Sequence, residues 1–158
     1  TFAGNAALKA RHYARAAHAV CLADDSGLCV DALDGAPGVR SARYAEVDGD
    51  RPTRDAANNA KLVAALRDIS EADRTAHFVC VMVLADAERT LAEATGQVDG
   101  RIVLDPRGSN GFGYDPHFHI NACGRTAAEL AADEKNAVSH RGRAARAMLE
   151  RLVDLNWG

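Results

Sequence analysis

Residues 19–33 read AVCLADDSGLCVDAL. Two apolar runs, 20–23 and 28–33, flank Asp24, Asp25, Ser26 and Gly27. The runs have the length and composition of buried strands, while Asp, Ser and Gly are turn residues. The stretch therefore predicts two short strands joined by a tight DDSG turn, with Gly27 free to take a positive φ. Neighbouring residues on a strand point to opposite faces. Asp24 and Asp25 are thus expected to do different work, one facing a cleft and the other bracing the turn. A carboxylate in a cleft can hold Mg²⁺ through hard oxygen ligands or take a proton from water. Ser26 and the nearby backbone N–H groups can hold a phosphate oxygen.

Upstream, residues 2–19 are Ala-rich with interspersed Lys and Arg, and predict a helix N-capped by Thr1. Asn5 and Lys9 lie four apart on one face of it, and His12 continues that face. Downstream, Gly35, Pro37 and Gly38 predict a rigid loop within DGAPGVRSARYA. Residues 53–66 predict a second helix with Ala56, Ala60, Val63 and Leu66 near one face. HFVCVMVLA, residues 77–85, is the strongest strand, and its near-continuous apolar character predicts burial on both faces. Residues 90–95 and 97–103 predict a further strand pair. Residues 126–133 predict a short helix, with Thr126 and Glu129 in capping-box spacing. Ser139 opens the last helix, whose apolar stripe is Ala145, Met148, Leu149, Leu152 and Leu155. No repeat, low-complexity run or linker interrupts this order, which predicts one α/β domain with a mixed sheet.

Composition narrows the function classes. A chain of 158 residues can bury a sizeable core; with 47% hydrophobic but only 5% aromatic residues, Ala, Val and Leu must fill it. Nineteen Lys and Arg stand against 22 Asp and Glu, a balance that excludes a broad basic face for nucleic acid. No apolar run approaches the ~20 residues that span a bilayer, and no signal-peptide pattern is present in the sequence. Cys21, Cys29, Cys80 and Cys123 form no CxxC pair and read as reduced core thiols, which points to a cytoplasmic setting.

Two more stretches carry chemistry. In GSNGFGYDPHF, residues 108–118, Gly111 and Gly113 let the backbone approach a ligand. Phe112 and Tyr114 offer faces on which a base can stack, and Asp115, fixed by Pro116, accepts hydrogen bonds. In KNAVSHRGRA, residues 135–144, Lys135, His140 and Arg141 gather donors near the helix N-terminus that Ser139 caps. A guanidinium there suits a phosphate or the keto oxygen of a purine. His117 and His119 share a strand face but lack a third ligand, and read as surface side chains. Arg40, Ser41, Arg43 and Tyr44 either line a cleft or build a dimer contact, and Trp157 packs or helps dimerise.

TFAGNAALKA, ADDSGL, GAPGVRSARYA, GFGYDPHF and KNAVSHRGRA, taken together and in this order, resemble the inosine triphosphate pyrophosphatase family, also called Ham1-like. The resemblance spans nearly the whole chain. It implies a Mg²⁺-dependent hydrolase that cleaves noncanonical purine nucleoside triphosphates (dITP, ITP and XTP) to the monophosphate and pyrophosphate, cleansing the nucleotide pool. It implies an elongated mixed α/β fold of two lobes with a central substrate cleft, commonly a homodimer. By the same resemblance Asp25 is the catalytic carboxylate; it ligates the metal or activates the attacking water. Ser26, Phe112, Gly113, Tyr114, Asp115, Lys135, His140 and Arg141 are substrate contacts. Asn5 and Lys9 join them, Lys9 and Lys135 offsetting phosphate charge. A donor such as Arg141 or a backbone N–H would select a six-keto purine over adenine, and rejection of guanine must come from the two-position.

One departure stands out. Family members open with a strand and a loop resembling T-x-N-x-G-K that holds the triphosphate, followed by an acidic metal ligand. This sequence starts at Thr1, past both. The expectation is a single domain over residues 1–158 whose N-terminal strand and phosphate-binding loop lie outside this sequence. The rival readings are a pyrophosphatase for other nucleotides, using the same Asp25, and a nucleotide-binding module without catalysis.

Overall fold

The computed structural model describes residues 1–155; Trp157 lies outside the described residues. The elements run α1 (Phe2–Ala17), β1 (Cys21–Val30), α2 (Arg51–Leu66), β2 (Thr75–Ala85), β3 (Thr90–Ile102), β4 (Phe118–Ile120), β5 (Arg125–Thr126), α3 (Ala132–Val138) and α4 (His140–Asp154), with short 3-10 turns between them. The strands form one sheet in the order β1-β2-β3-β4-β5. β4 pairs antiparallel with β3, Arg101 opposite His119, and with β5. The chain divides into two compact units: Thr1–Ser26, Val79–Gln97 and the chain from Val138 onward, then Gly27–Phe78 with Val98–Ala137.

In the first unit α1 starts where Thr1 Oγ1 accepts the Gly4 N–H at 3.1 Å, a cap of about 1 kcal/mol. It ends at His18, whose left-handed backbone (φ 49°) returns an N–H to Ala14. Ala6 and Ala10 pack against Val81, Val83 and Ala85 of β2. Leu84 of β2 and Ala94 of β3 pack instead with Met148 of α4. The apolar run at 77–85 is thus covered from two sides, as its composition predicted. Small residues on α1 allow a close approach to the strand, which suits a core poor in aromatics.

The DDSG segment is a correction. β1 is continuous from Cys21 to Val30, and Gly27 is absent from the glycines with positive φ. Residues of poor strand propensity stay extended because distant side chains bind their polar groups. The proposed pair 90–95 and 97–103 is likewise one strand, β3, in which Ala94, Gly96, Val98, Gly100 and Ile102 are buried in strict alternation. Gly96 is not a strand break. A Cβ there would collide with the His140 carbonyl and the Ala144 amide of α4.

In the second unit Phe78 and Phe118 meet edge to face at 4.6 Å, and Leu28, Val30, Leu62, Leu66 and Ile102 are fully buried. α2 buries Asn58, Leu62 and Leu66, while Ala56 and Ala60 are exposed; its cap is Asp50, which accepts the Thr53 N–H at 3.0 Å. The predicted helix at 126–133 is a 3-10 turn with the expected Thr126–Glu129 capping box, followed by the separate α3. In α4 the buried positions are His140, Ala144 and Met148, whereas Leu149 and Leu155 of the predicted stripe are exposed. His117 and His119, read as surface residues, are buried; His117 Nδ1 lies 2.9 Å from the Val103 carbonyl. Cys80 is buried, Cys21, Cys29 and Cys123 are half-buried, and all are free thiols.

Candidate functional site

The predicted residues gather in two groups, one within each unit. In the first, α1 presents Asn5 and Lys9 one turn apart, and both reach Asp25 on β1. Asn5 Nδ2 donates to Oδ2 at 3.0 Å, and Lys9 Nζ donates to Oδ1 at 2.6 Å and to the Asp24 carbonyl at 2.9 Å. Each carboxylate oxygen therefore has its own donor, which fixes the carboxylate plane. His12, expected on the same face, instead meets Tyr13 edge-on at 5.4 Å.

Strand alternation sends Asp24 the other way. Its Oδ2 accepts from Ser26 Oγ at 2.9 Å, Arg141 Nε at 3.1 Å and, more weakly, Cys80 Sγ at 3.8 Å. Burial alone pushes the Asp24 carboxyl up, but the Arg141 guanidinium, with the Ser26 and Arg141 hydrogen bonds, outweighs it and holds the group below the usual aspartate range. Burial, reinforced by Asp24, raises the Cys80 thiol and keeps it protonated. Arg141 sits in the first turn of α4, where Ser139 Oγ accepts the Gly142 N–H at 3.1 Å. His140, beside it, is buried.

The Asp25 carboxylate offers the oxygen donors a hard cation takes. Mg²⁺ is commonly held by one or two carboxylates together with substrate phosphates and water. Asp25 supplies one such carboxylate. Among the described residues no group of three or more His, Cys, Asp or Glu side chains is placed to hold a metal.

In the second unit the loop at 108–118 is braced by Asp115. Its buried Oδ2 accepts the Phe112 N–H at 2.7 Å and a hydrogen bond from Lys135 Nζ, so Lys135 of α3 serves this loop. Gly111 has φ +78°, and a Cβ there would run into Asp115 Oδ2 and Lys135 Nζ. Phe112 is half exposed, with the Arg51 guanidinium 4.1 Å and Lys135 Nζ 5.0 Å from its ring centre. Gly113 donates its N–H to Asp55 at 2.9 Å and accepts from Asn59 Nδ2 at 2.9 Å. Tyr114 is buried and donates its hydroxyl to the Ser41 carbonyl at 2.8 Å. Burial, with Tyr44 and Asp55 nearby, pushes that hydroxyl far above its ordinary value and keeps it protonated. Ser41 itself accepts the Leu28 N–H at 2.9 Å and donates to the Gly38 carbonyl at 2.6 Å, a structural role. Sequence reading missed Arg51, Asp55 and Asn59. Their spacing of four marks one polar face of α2, but the helix was read from its alanines.

A profile described as Ham1 family matches residues 1–151. A dITP/XTP pyrophosphatase of Ralstonia nicotianae is 54% identical over 156 residues, covering 96% of this chain and 75% of the relative. A dITP/XTP pyrophosphatase of Streptomyces avermitilis is 52% identical over 155 residues, covering 98% of this chain and 76% of the relative. A HAM1 protein of Coxiella burnetii superposes with a TM-score of 0.87 at 43% identity, covering 98% of this chain and 77% of that one.

Proposed function

This chain belongs to the Ham1 family, and on that premise we propose that it hydrolyses dITP, ITP and XTP to the monophosphate and pyrophosphate with Mg²⁺, clearing them from the nucleotide pool. It is an enzyme, a hydrolase of triphosphate anhydride bonds. The observation that carries the reading is the Asp25 carboxylate, gripped at both oxygens by one face of α1. A reacting group needs that fixed orientation, and a solvated turn aspartate does not.

Asp25 is the carboxylate that holds the metal or takes the proton of the attacking water, and the bond between the α- and β-phosphates breaks. Bound Mg²⁺ supplies charge neutralisation along the triphosphate. Lys9 brings a positive charge to the same place, and Ser26, whose hydroxyl is donated to Asp24, is a substrate contact beside Asp25. Phe112 presents a ring face to a base, with Gly113, Tyr114 and Asp115 shaping the loop and Lys135 adding charge. Arg141 supplies a donor for a keto oxygen at the six-position, where adenine carries an amino group. His140, next to it, is a further substrate contact in this reading.

A homodimeric, cytoplasmic state is part of the proposal. Leu8, Leu149 and Val153 are exposed, the kind of apolar surface a second copy covers. Among the described residues no helix is long and apolar enough to cross a membrane.

The test is pyrophosphate release with Mg²⁺ from dITP, XTP, dATP and dGTP, for the wild-type chain and Asp25→Asn. Preferential cleavage of dITP and XTP, lowered about 10³-fold by the substitution, is expected. Equal turnover of all four would sink the base selection. Binding without turnover would favour a nucleotide-binding module.

A further inference from the structure

The proposed chemistry gives Asp25 its task and leaves its neighbour without one. Yet Asp24 is the more connected of the two: Oδ2 receives donors from its own strand, from β2 and from α4, the last 117 residues away in sequence. Arg141 stands in the first turn of α4, the end of a helix dipole that repels a cation. An opposing carboxylate makes that place favourable for it. The contact is through Nε, so it anchors the guanidinium at its root. The Arg141 side chain is 45% exposed, and an Arg that open samples many rotamers unless something holds it.

We propose that Asp24 is a positioning residue, which sets the Arg141 guanidinium and the Ser26 hydroxyl before substrate arrives and thereby tunes discrimination between six-keto and six-amino purines. The inference rests on the functional reading above. The Cys80 thiol of β2 lies 3.8 Å from the same Asp24 oxygen, so three elements meet at one carboxylate. The side chain acts through Arg141 and Ser26 rather than on the reacting atoms.

The experiment compares wild type, Asp24→Asn, Arg141→Gln and the double variant, each confirmed folded by thermal unfolding. The readout is kcat and KM for dITP and dATP. Asp24→Asn is expected to raise KM for dITP about tenfold, to change kcat less than about threefold, and to lower the dITP-over-dATP ratio of kcat/KM about tenfold. Arg141→Gln lowers the ratio at least as far, and the double variant lowers it no further than Arg141→Gln alone. Asp24→Glu, which keeps the charge, loses less of the ratio than Asp24→Asn. A fall in kcat of about 100-fold with the ratio intact, or ratio losses that multiply in the double variant, overturns the proposal. A second readout needs no turnover: the ¹⁵N resonance of Arg141 Nε in the nucleotide-free protein should move in Asp24→Asn, and an unmoved resonance overturns the proposal. A wild type without preference for dITP sinks the functional reading, while the resonance still decides whether Asp24 positions Arg141.

Discussion

Two Lys–Asp pairs occupy the two units, and they look alike until their other partners are compared. Lys9 and Asp25 meet at 2.6 Å with side chains 47% and 15% exposed. Lys135 and Asp115 also pair, but at 19% and 6% exposure, and Asp115 further accepts the Phe112 backbone N–H at 2.7 Å. The partners of the Asp25 carboxylate are side chains, which can yield to a metal or a phosphate. The Asp115 carboxylate is tied to the main chain of its own loop. The same ionic pairing is proposed for chemistry in one place and braces a loop in the other, and a backbone partner is what separates them.

Three measurements can break that contrast. The largest effect is expected for Asp115→Asn, which leaves the Lys135 ammonium in a buried setting without its counter-charge. The chain should lose about 3 kcal/mol of stability in chemical denaturation. A loss below about 1 kcal/mol would make Asp115 the equal of Asp25. Next comes Lys9→Met, which keeps the aliphatic stem. Its expected signature is a fall in kcat of about 100-fold, about 2.7 kcal/mol of activation free energy, with the unfolding midpoint nearly unchanged. A large drop in midpoint with kcat preserved would make Lys9 a structural clamp. The smallest effect concerns Asp24. Its folded pKa lies below the ordinary 3.8, so the unfolded chain binds more protons under acid conditions. Its contribution to stability is complete above 3.8 and is lost as pH falls through the lower folded value. The difference in midpoint between wild type and Asp24→Asn should hold steady down to about pH 4 and then narrow. A difference that narrows already near neutrality would contradict the lowered pKa.

What was legible in the sequence is what local spacing encodes. Thr1 caps α1, Asn5 and Lys9 share a face, Thr126 and Glu129 form their box, and the apolar run at 77–85 is covered on both sides. The DDSG segment was misread because its own residues favour a turn, whereas what keeps it extended comes from elsewhere. Lys9 lies 16 residues from Asp25 and Arg141 lies 117 from Asp24, and no window of sequence contains such pairings. The buried His119 and His117 went unrecognised for the opposite reason. An imidazole is compatible with surface and core; the pairing of β4 between β3 and β5 buries His119, and the Val103 carbonyl takes up His117. Arg51, Asp55 and Asn59 were open to discovery by period alone. Sequence reading followed the apolar face of α2 and passed over the polar one.

The missing side chain at residue 96 reaches further than its size suggests. Because β3 touches the first turn of α4 there, any Cβ must displace His140 and Ala144, and Arg141 travels with them. Gly96→Ala would be scored in a functional screen as an active-site lesion, though it adds one methyl group and removes no reactive atom. On the proposed role of Arg141, nucleotide choice would then depend on a position with no side chain of its own. A survey of variants that counts only polar residues would overlook it.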